Sequence, residues 1–174
     1  MKQLLRITTQ YVDVQDRIRL SGEVQAGDAL VVWLTHRLLN RLLPGLLGWL
    51  ENQSGGGAVN AMLPGYHTDA VQGFAQQAAR AQLAKQPPVQ AEGASPHWLL
   101  VSVDLTHTAQ SVALVFKGED AHARVGLTLT TQPLRQWVNI VHDQYLQAGW
   151  SMEVWPAWIT ESAVQPVQGP TLMH

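Results

Sequence analysis

Three stretches in the second half of the chain alternate apolar and polar side chains, and this pattern constrains the fold more than any other feature. They are Leu99–Leu105, Val112–Phe116 and Val125–Leu129, and short polar turns separate them. Alternation with a period of two is typical of strands that bury one face. Because the turns are too short for a crossover connection, the pattern predicts an antiparallel three-stranded meander over residues 98–131.

The beginning of the chain shows the same alternation twice. Leu5, Ile7, Thr9 and Tyr11 share one face of the first stretch, and Ile18, Leu20, Gly22 and Val24 share one face of the second. Gln15 and Asp16 lie at the reversal between them. Residues 4–25 therefore predict a β-hairpin with one face in water.

Two segments carry apolar residues at helical spacing. Residues 28–51 are rich in leucine, Asp28 is suited to cap the start, and Pro44 predicts a kink or break near 41–44. Residues 132–148 form the second helix, which Gly149 is suited to end. A last strand is expected at residues 151–155.

The order of these elements indicates the fold class. Hairpins dominate over strand–helix–strand units, which favours an α+β fold. We expect one antiparallel sheet of five to six strands, made of the N-terminal hairpin and the C-terminal meander and packed by the two amphipathic helices. The alternative is a β-sandwich with a helical insertion.

The length of 174 residues suits one domain, which we place at residues 1–160. Glycine, proline and polar residues predict that 52–97 is a flexible, partly helical insert, with a helix at 69–86. Residues 161–174 have no periodicity and predict a disordered tail. The insert helix has a thin apolar edge, which consists of Val71, Phe74, Ala78 and Ala81.

The composition excludes several classes of protein. Charged residues make up only 14% of the chain and the net charge is -2, so the clustered basic surface of a nucleic-acid-binding protein is missing. With no cysteine, the chain has neither disulfides nor zinc–thiolate sites. It contains no apolar run of about 18 residues, so we expect no membrane span, and without a targeting signal we expect a cytoplasmic protein.

No catalytic motif is present, and we predict no catalytic residue and no bound cofactor. A candidate metal site arises only from the meander, which places four side chains at one rim: His97, Glu119, Asp120 and His122. Imidazole and carboxylate groups are ligands for divalent metals. The alternative is that a loop at this rim simply collects solvated polar residues.

Tryptophan and leucine mark the surface most suited to association. Four of the seven tryptophans fall between residues 132 and 160, together with only three charged residues. Tryptophan is enriched in interfaces, and the leucine stripe of the first helix is wider than one sheet face needs. The predicted interface residues are Leu38, Leu42, Leu46, Trp49, Trp150, Trp155 and Trp158. The alternative is that these side chains pack on the domain's own core.

These features together predict a small non-catalytic assembly or adaptor protein that acts through self-association or a protein partner. One alternative is an apolar small-molecule binding protein, because a sheet covered by helices can enclose a pocket. A further alternative is a metal-dependent enzyme that uses the histidine and carboxylate rim.

Overall fold

The computed structural model describes residues 1–25, 27–54 and 66–164. Within them the chain forms an α+β fold of eight strands and four helices, which confirms the predicted class. In chain order the elements are β1 Lys2–Gln3, β2 Arg6–Val12, β3 Arg17–Gln25, β4 Asp28–Leu34, α1 His36–Ser54, α2 Tyr66–Ala81, β5 His97–Leu99, β6 Ser102–His107, β7 Ser111–Lys117, β8 Arg124–Thr130, α3 Thr131–Ala148 and α4 Ala157–Val164.

The strands form two mixed sheets rather than the single antiparallel sheet that the sequence predicted. One sheet has the order β1-β8-β7-β6 and the other has the order β2-β3-β4-β5. The predicted hairpin and meander are confirmed, since β2 pairs with β3, and β7 pairs with both β6 and β8, all antiparallel. The mixed character comes from β1 beside β8 and β5 beside β4, which are parallel pairs.

A continuous stretch of chain joins the two sheets at the corner between β1 and β2. The Leu4 amide donates to Gly126 O in the first sheet at 2.8 Å, and the next amide, Leu5, donates to Glu23 O in the second sheet, also at 2.8 Å. Strands that pass from one sheet to the other at a corner are a known device of packed sheets.

The corner between β5 and β6 repeats this arrangement. Leu100 N donates to Trp33 O at 3.0 Å and Val101 N donates to Lys117 O at 2.9 Å. At each corner one continuous segment of chain pairs in both sheets: β1 continues into β2 at the first corner, and β5 continues into β6 at the second. The strands therefore form a closed ring of six paired segments: β1–β2, β3, β4, β5–β6, β7 and β8. A closed ring leaves few unpaired strand edges, and it explains why the single-sheet prediction was wrong: alternation shows which face is buried but does not show where a strand changes sheet.

The predicted helix at 28–51 begins later than expected. Residues Asp28–Leu34 form β4, which pairs with β3 along its whole length, and α1 starts only at His36. In β4 the neighbours Leu30, Val31 and Val32 are all buried, so the strand is covered on both faces. A short continuous apolar run fits a buried strand and a helix equally well, and β-branched valines favour the strand.

The predicted break at Pro44 is also wrong, since α1 runs without interruption from His36 to Ser54. Pro44 lies on the exposed side of the helix. A proline inside a helix costs about 3 kcal/mol, but each buried leucine contributes roughly 1.5–3 kcal/mol, and six of them outweigh it. The buried leucines of α1 are Leu39, Leu42, Leu43, Leu46, Leu47 and Leu50.

The end of the chain differs from the prediction as well. α3 is confirmed at Thr131–Ala148, and Gly149 ends it in a left-handed conformation with φ of 66°. The expected strand at 151–155 is a turn instead, and α4 follows Pro156, a residue suited to a helix start. α4 reaches into the predicted tail as far as Val164, and residues 165–174 lie outside the described part of the chain.

The predicted insert is partly described, and α2 is its helical part. α2 ends at Ala81 rather than at 86 and packs mainly on α3 and α4. After it, the chain runs along β2, where Val89 is buried and its amide donates to Thr8 Oγ1 at 2.8 Å. It then reaches β4, where Val31 N donates to Pro96 O at 2.8 Å. The predicted glycine- and proline-rich turns at 55–65 lie outside the described residues.

Asp16 fastens the tip of the N-terminal hairpin to the C-terminal half. Its Oδ1 accepts from Trp150 Nε1 and from the Tyr11 hydroxyl, both at 2.9 Å, and its φ of 46° is in the left-handed region that aspartate tolerates. These hydrogen bonds, that of Trp150 first, lower the pKa of the Asp16 carboxyl. They favour the ionised form in the folded protein.

We expect Asp16→Asn to make the free energy of unfolding fall less between neutral and acid pH than it does in the natural chain. A carboxyl whose pKa is lowered by folding adds stability above its unfolded pKa of about 3.9, and this is lost as the pH falls through the folded value. Asn keeps an acceptor oxygen and tolerates the same backbone conformation but cannot titrate. Urea unfolding of the natural chain and of Asp16→Asn at neutral pH and near pH 3 measures the effect. An equal fall in the free energy of unfolding for the two proteins would contradict the prediction.

No helix in the described ranges is long and apolar enough to cross a membrane, as the sequence also indicated.

Candidate functional site: the outward face of α2

Five of the seven predicted interface residues are buried in the chain's own core, and Leu38 and Trp150 are half-buried. The buried five have little surface left for another chain. Their burial favours the alternative interpretation, in which they stabilise the domain itself. The five are Leu42, Leu46, Trp49, Trp155 and Trp158.

Two of the C-terminal tryptophans flank Tyr145 of α3. Trp150 and Trp155 meet the Tyr145 ring edge-on at centroid distances of 5.1 and 5.2 Å, and His36 stacks on Trp150 at 4.7 Å. The Tyr145 hydroxyl donates to Asn40 Oδ1 at 2.9 Å, and burial raises the pKa of this phenol. The cluster joins α1, α3 and the segment between α3 and α4, and its contacts are those of a core.

The four candidate metal ligands are exposed. The turn brings Asp120 and His122 together, because Asp120 Oδ1 accepts from the His122 backbone amide at 2.7 Å. His97 lies in β5 of the other sheet, beside Val31. Among the residues that the structure describes, no three His, Cys, Asp or Glu side chains are grouped so that they could hold a metal ion. The rim residues are therefore better described as solvated side chains of a turn and a strand end.

The burial of α2 is the reverse of what an amphipathic helix normally shows. Gln72 and Gln76 face inward with no accessible surface, whereas Phe74 is 72% exposed and Val71 is 51% exposed. A surface helix ordinarily turns its apolar residues toward the core. Scattered exposed apolar residues are common, but buried glutamines opposite an exposed phenylalanine require a structural cause.

The cause is a buried polar network between α2 and the two helices beneath it. Gln72 Nε2 donates to the carbonyls of Leu50 and Glu51 at 3.3 and 3.0 Å, at the end of α1. Gln76 Nε2 donates to the Arg135 carbonyl of α3 at 2.8 Å. Carbonyls in the last turn of a helix lack partners within that helix, so Gln72 supplies a donor that the end of α1 needs.

Arg135 completes this network from α3. Its side chain is 3% exposed, Nη2 donates to Gln72 Oε1 at 2.6 Å, and Nη1 donates to Gln76 Oε1 at 3.5 Å. The guanidinium also lies 5.6 Å from the centre of the Trp158 ring. Burial lowers the pKa of Arg135. Buried polar groups are tolerated when they are hydrogen-bonded, so the network holds the polar face of α2 inward.

The opposite side of α2 is left as an uncharged apolar strip on the protein surface. We call it the outward face of α2. Its members recur every three or four residues and so lie on one side of the helix. They are Ala70, Val71, Phe74, Ala78 and Ala81, all exposed.

The sequence pattern locates this apolar edge, and an amphipathic helix is expected to pack such an edge inward. Periodicity identifies an apolar face and cannot say which way the face points. The signal that could have revealed the orientation is the pair Gln72 and Gln76, one turn apart, opposite a buried arginine that no pattern places near them.

The chain matches no family model, no curated protein and no solved structure.

Proposed function

We propose that this protein is a non-catalytic assembly protein that self-associates through the outward face of α2. The observation that carries the proposal is the exposure of Phe74 beside fully buried glutamines. Burying an exposed phenylalanine contributes about 1.5–3 kcal/mol, and in a two-fold pair each contact occurs twice. A second copy of the chain is the occupant we propose for this face.

The shape of the face suits a copy of itself. Phe74 stands between Ala70 and Ala78, which lie one helical turn away on either side. In an antiparallel pair of α2 helices whose two-fold axis passes between Phe74 and Ala78, each phenylalanine rests on Ala78 of the other copy. Small residues opposite large ones allow two helices to approach closely. In such pairs the side-chain ridges of one helix fill the grooves of the other.

The charges of α2 favour the antiparallel arrangement. Asp69 lies in the first turn and Arg80 in the last turn. An antiparallel pair brings the acidic end of one helix toward the basic end of the other and sets their dipoles in opposition, whereas a parallel pair brings like charges together.

The size of the face indicates that the association is weak. A helix of 16 residues is about 24 Å long, and a strip about 10 Å wide along it offers a few hundred Å². Stable interfaces bury roughly 800 Å² per partner. We expect a dissociation constant on the order of 10 µM or weaker, as for transient complexes.

Cross-linking tests the proposed pairing. The natural chain has no cysteine, so Ala78→Cys introduces a single thiol on the outward face. In the antiparallel pair both thiols lie near the two-fold axis, and we expect a short bismaleimide to link two chains in high yield. Val14→Cys, at a residue 90% exposed in the hairpin turn, is the matched control and should react without forming a linked dimer.

Two results would contradict the proposal. One is equal cross-linking of both cysteine variants, which indicates random collision. The other is undiminished cross-linking of Ala78→Cys when Phe74→Glu is added, because the glutamate removes the contact on which the pairing depends.

A further inference from the structure

A cavity of about 750 Å³ opens at one end of the ring of strands. It lies where β1, β5 and β8 begin and where β3 turns back into β4, so both sheets contribute to its wall. Small-molecule sites typically occupy about 300–1,000 Å³. None of the residues that line the cavity belongs to α2, so ligand binding there is independent of the proposed self-association.

The inner wall of the cavity is apolar. Val24 and Leu30 are buried side chains of the second sheet, and the Trp98 ring of β5 lies beside them. The ring rests on Gly118: a Cβ atom at that position would come within 2.6 Å of Trp98 Cδ1. A glycine there lets the indole lie close against the turn before β8.

The Trp98 indole also carries an unused hydrogen-bond donor. Its Nε1–H is enclosed and has no acceptor among the residues that the structure describes. Buried indole N–H groups normally find a partner, and an enclosed donor without one costs stability. Removing this N–H is therefore not expected to lower the stability of the fold.

Basic groups predominate at the rim. Lys2, His122 and Arg124 line the opening together with a single carboxylate, that of Asp28. Within the described part of the chain neither Lys2 nor Arg124 forms a salt bridge. The backbone of the turn fixes this side of the rim, since the amide of Gly118 donates to the carbonyl of Ala123 at 2.7 Å.

We infer that this cavity binds a small anionic amphiphile, a carboxylate with an apolar body. The apolar part would lie against Trp98 and Leu30, and the carboxylate would reach the rim and accept from Arg124 and Lys2. Charge-assisted hydrogen bonds of this kind are stronger than hydrogen bonds between neutral groups. The planar guanidinium of arginine also matches the planar geometry of a carboxylate.

Titration calorimetry of the full chain with octanoate tests the inference, with octylammonium as a probe of equal length and opposite charge. We expect saturable binding of one octanoate per chain and at least tenfold weaker binding of octylammonium. Arg124→Gln should weaken octanoate binding about five- to tenfold, because one charge-assisted contact is lost. Lys85→Gln, which removes a positive charge outside the cavity, should leave binding unchanged.

Trp98→Phe keeps an aromatic ring against which the alkyl chain can lie and removes the enclosed N–H, so it should leave octanoate binding within about twofold of the natural value without lowering the urea midpoint. The inference is overturned if octanoate does not bind saturably, if octylammonium binds as well, or if Arg124→Gln binds octanoate as tightly as the natural chain does. A loss of binding in Lys85→Gln equal to that in Arg124→Gln would overturn it as well, since it would show a general charge effect.

Discussion

Replacing Arg135 by methionine is expected to lower the free energy of unfolding by about 3 kcal/mol. The substitution leaves Gln72 Oε1 and Gln76 Oε1 inside the protein without the donor that each now uses. Each buried polar group left without a partner costs about 1–3 kcal/mol. The contact of the guanidinium with the Trp158 ring is lost too. Urea unfolding followed by circular dichroism measures the loss.

Two further variants show whether the loss comes from the network. Arg37→Met, at an exposed position of α1, should change the free energy of unfolding by less than about 0.5 kcal/mol. Adding Gln72→Leu and Gln76→Leu to Arg135→Met should not restore the stability, because the backbone carbonyls of residues 50, 51 and 135 then lose the donors that the glutamines supply. A loss in Arg135→Met no larger than that in Arg37→Met would show that the network does not hold α2.

Phe74→Glu is expected to weaken self-association at least a hundredfold while leaving the fold intact. The residue is 72% exposed, so the single chain loses little. In the pair the change removes about 2 kcal/mol of apolar burial from each of two symmetric contacts, and each tenfold of affinity corresponds to about 1.4 kcal/mol. Light scattering after size-exclusion chromatography at increasing load measures the dissociation constant.

Leu146→Glu is the matched control for this prediction. Leu146 is another exposed apolar residue, 55% accessible, on α3. The same change of charge there should leave the association constant within about twofold of the natural value, because rim or remote charges contribute little. Equal weakening by both variants would mean that net charge, and not the outward face of α2, governs association.

The strands of this fold were more predictable than their assembly. Alternation fixed the meander and the hairpin because each buries one face, and its period of two is visible without tertiary knowledge. The corners at Leu4–Leu5 and Leu100–Val101 left no signal, since a chain that passes between sheets keeps its alternating pattern. The single predicted sheet was therefore wrong, although its neighbouring pairs were right.

Local sequence misled where tertiary packing overrides it. The run from Leu30 to Leu34 reads as part of a helix, but its burial on both faces makes it a strand. Pro44 reads as a break, but buried leucines on the other side of α1 keep the helix continuous. In both places long-range burial outweighs a local preference.

The candidate site was the least predictable part of the molecule. Leucine and tryptophan drew attention to residues such as Trp155 and Trp158, which the structure buries. The outward face of α2 depends instead on Arg135, 59 residues away from Gln76, and on the two hydrogen bonds between them. The polar network that sets the orientation of α2 depends on the packing of α1, α2 and α3 together, so it cannot be predicted from the sequence of any one of them.

Sedimentation velocity of the natural chain beside Phe74→Glu tests the central claim, self-association through the outward face of α2, most directly. The concentration series should run from about 1 to about 300 µM, which spans the dissociation constant expected of so small an interface. We predict that the natural chain moves from the 19.2 kDa monomer toward the dimer as concentration rises, while Phe74→Glu remains a monomer. A natural chain that stays monomeric throughout, or a Phe74→Glu variant that associates equally well, would contradict the account.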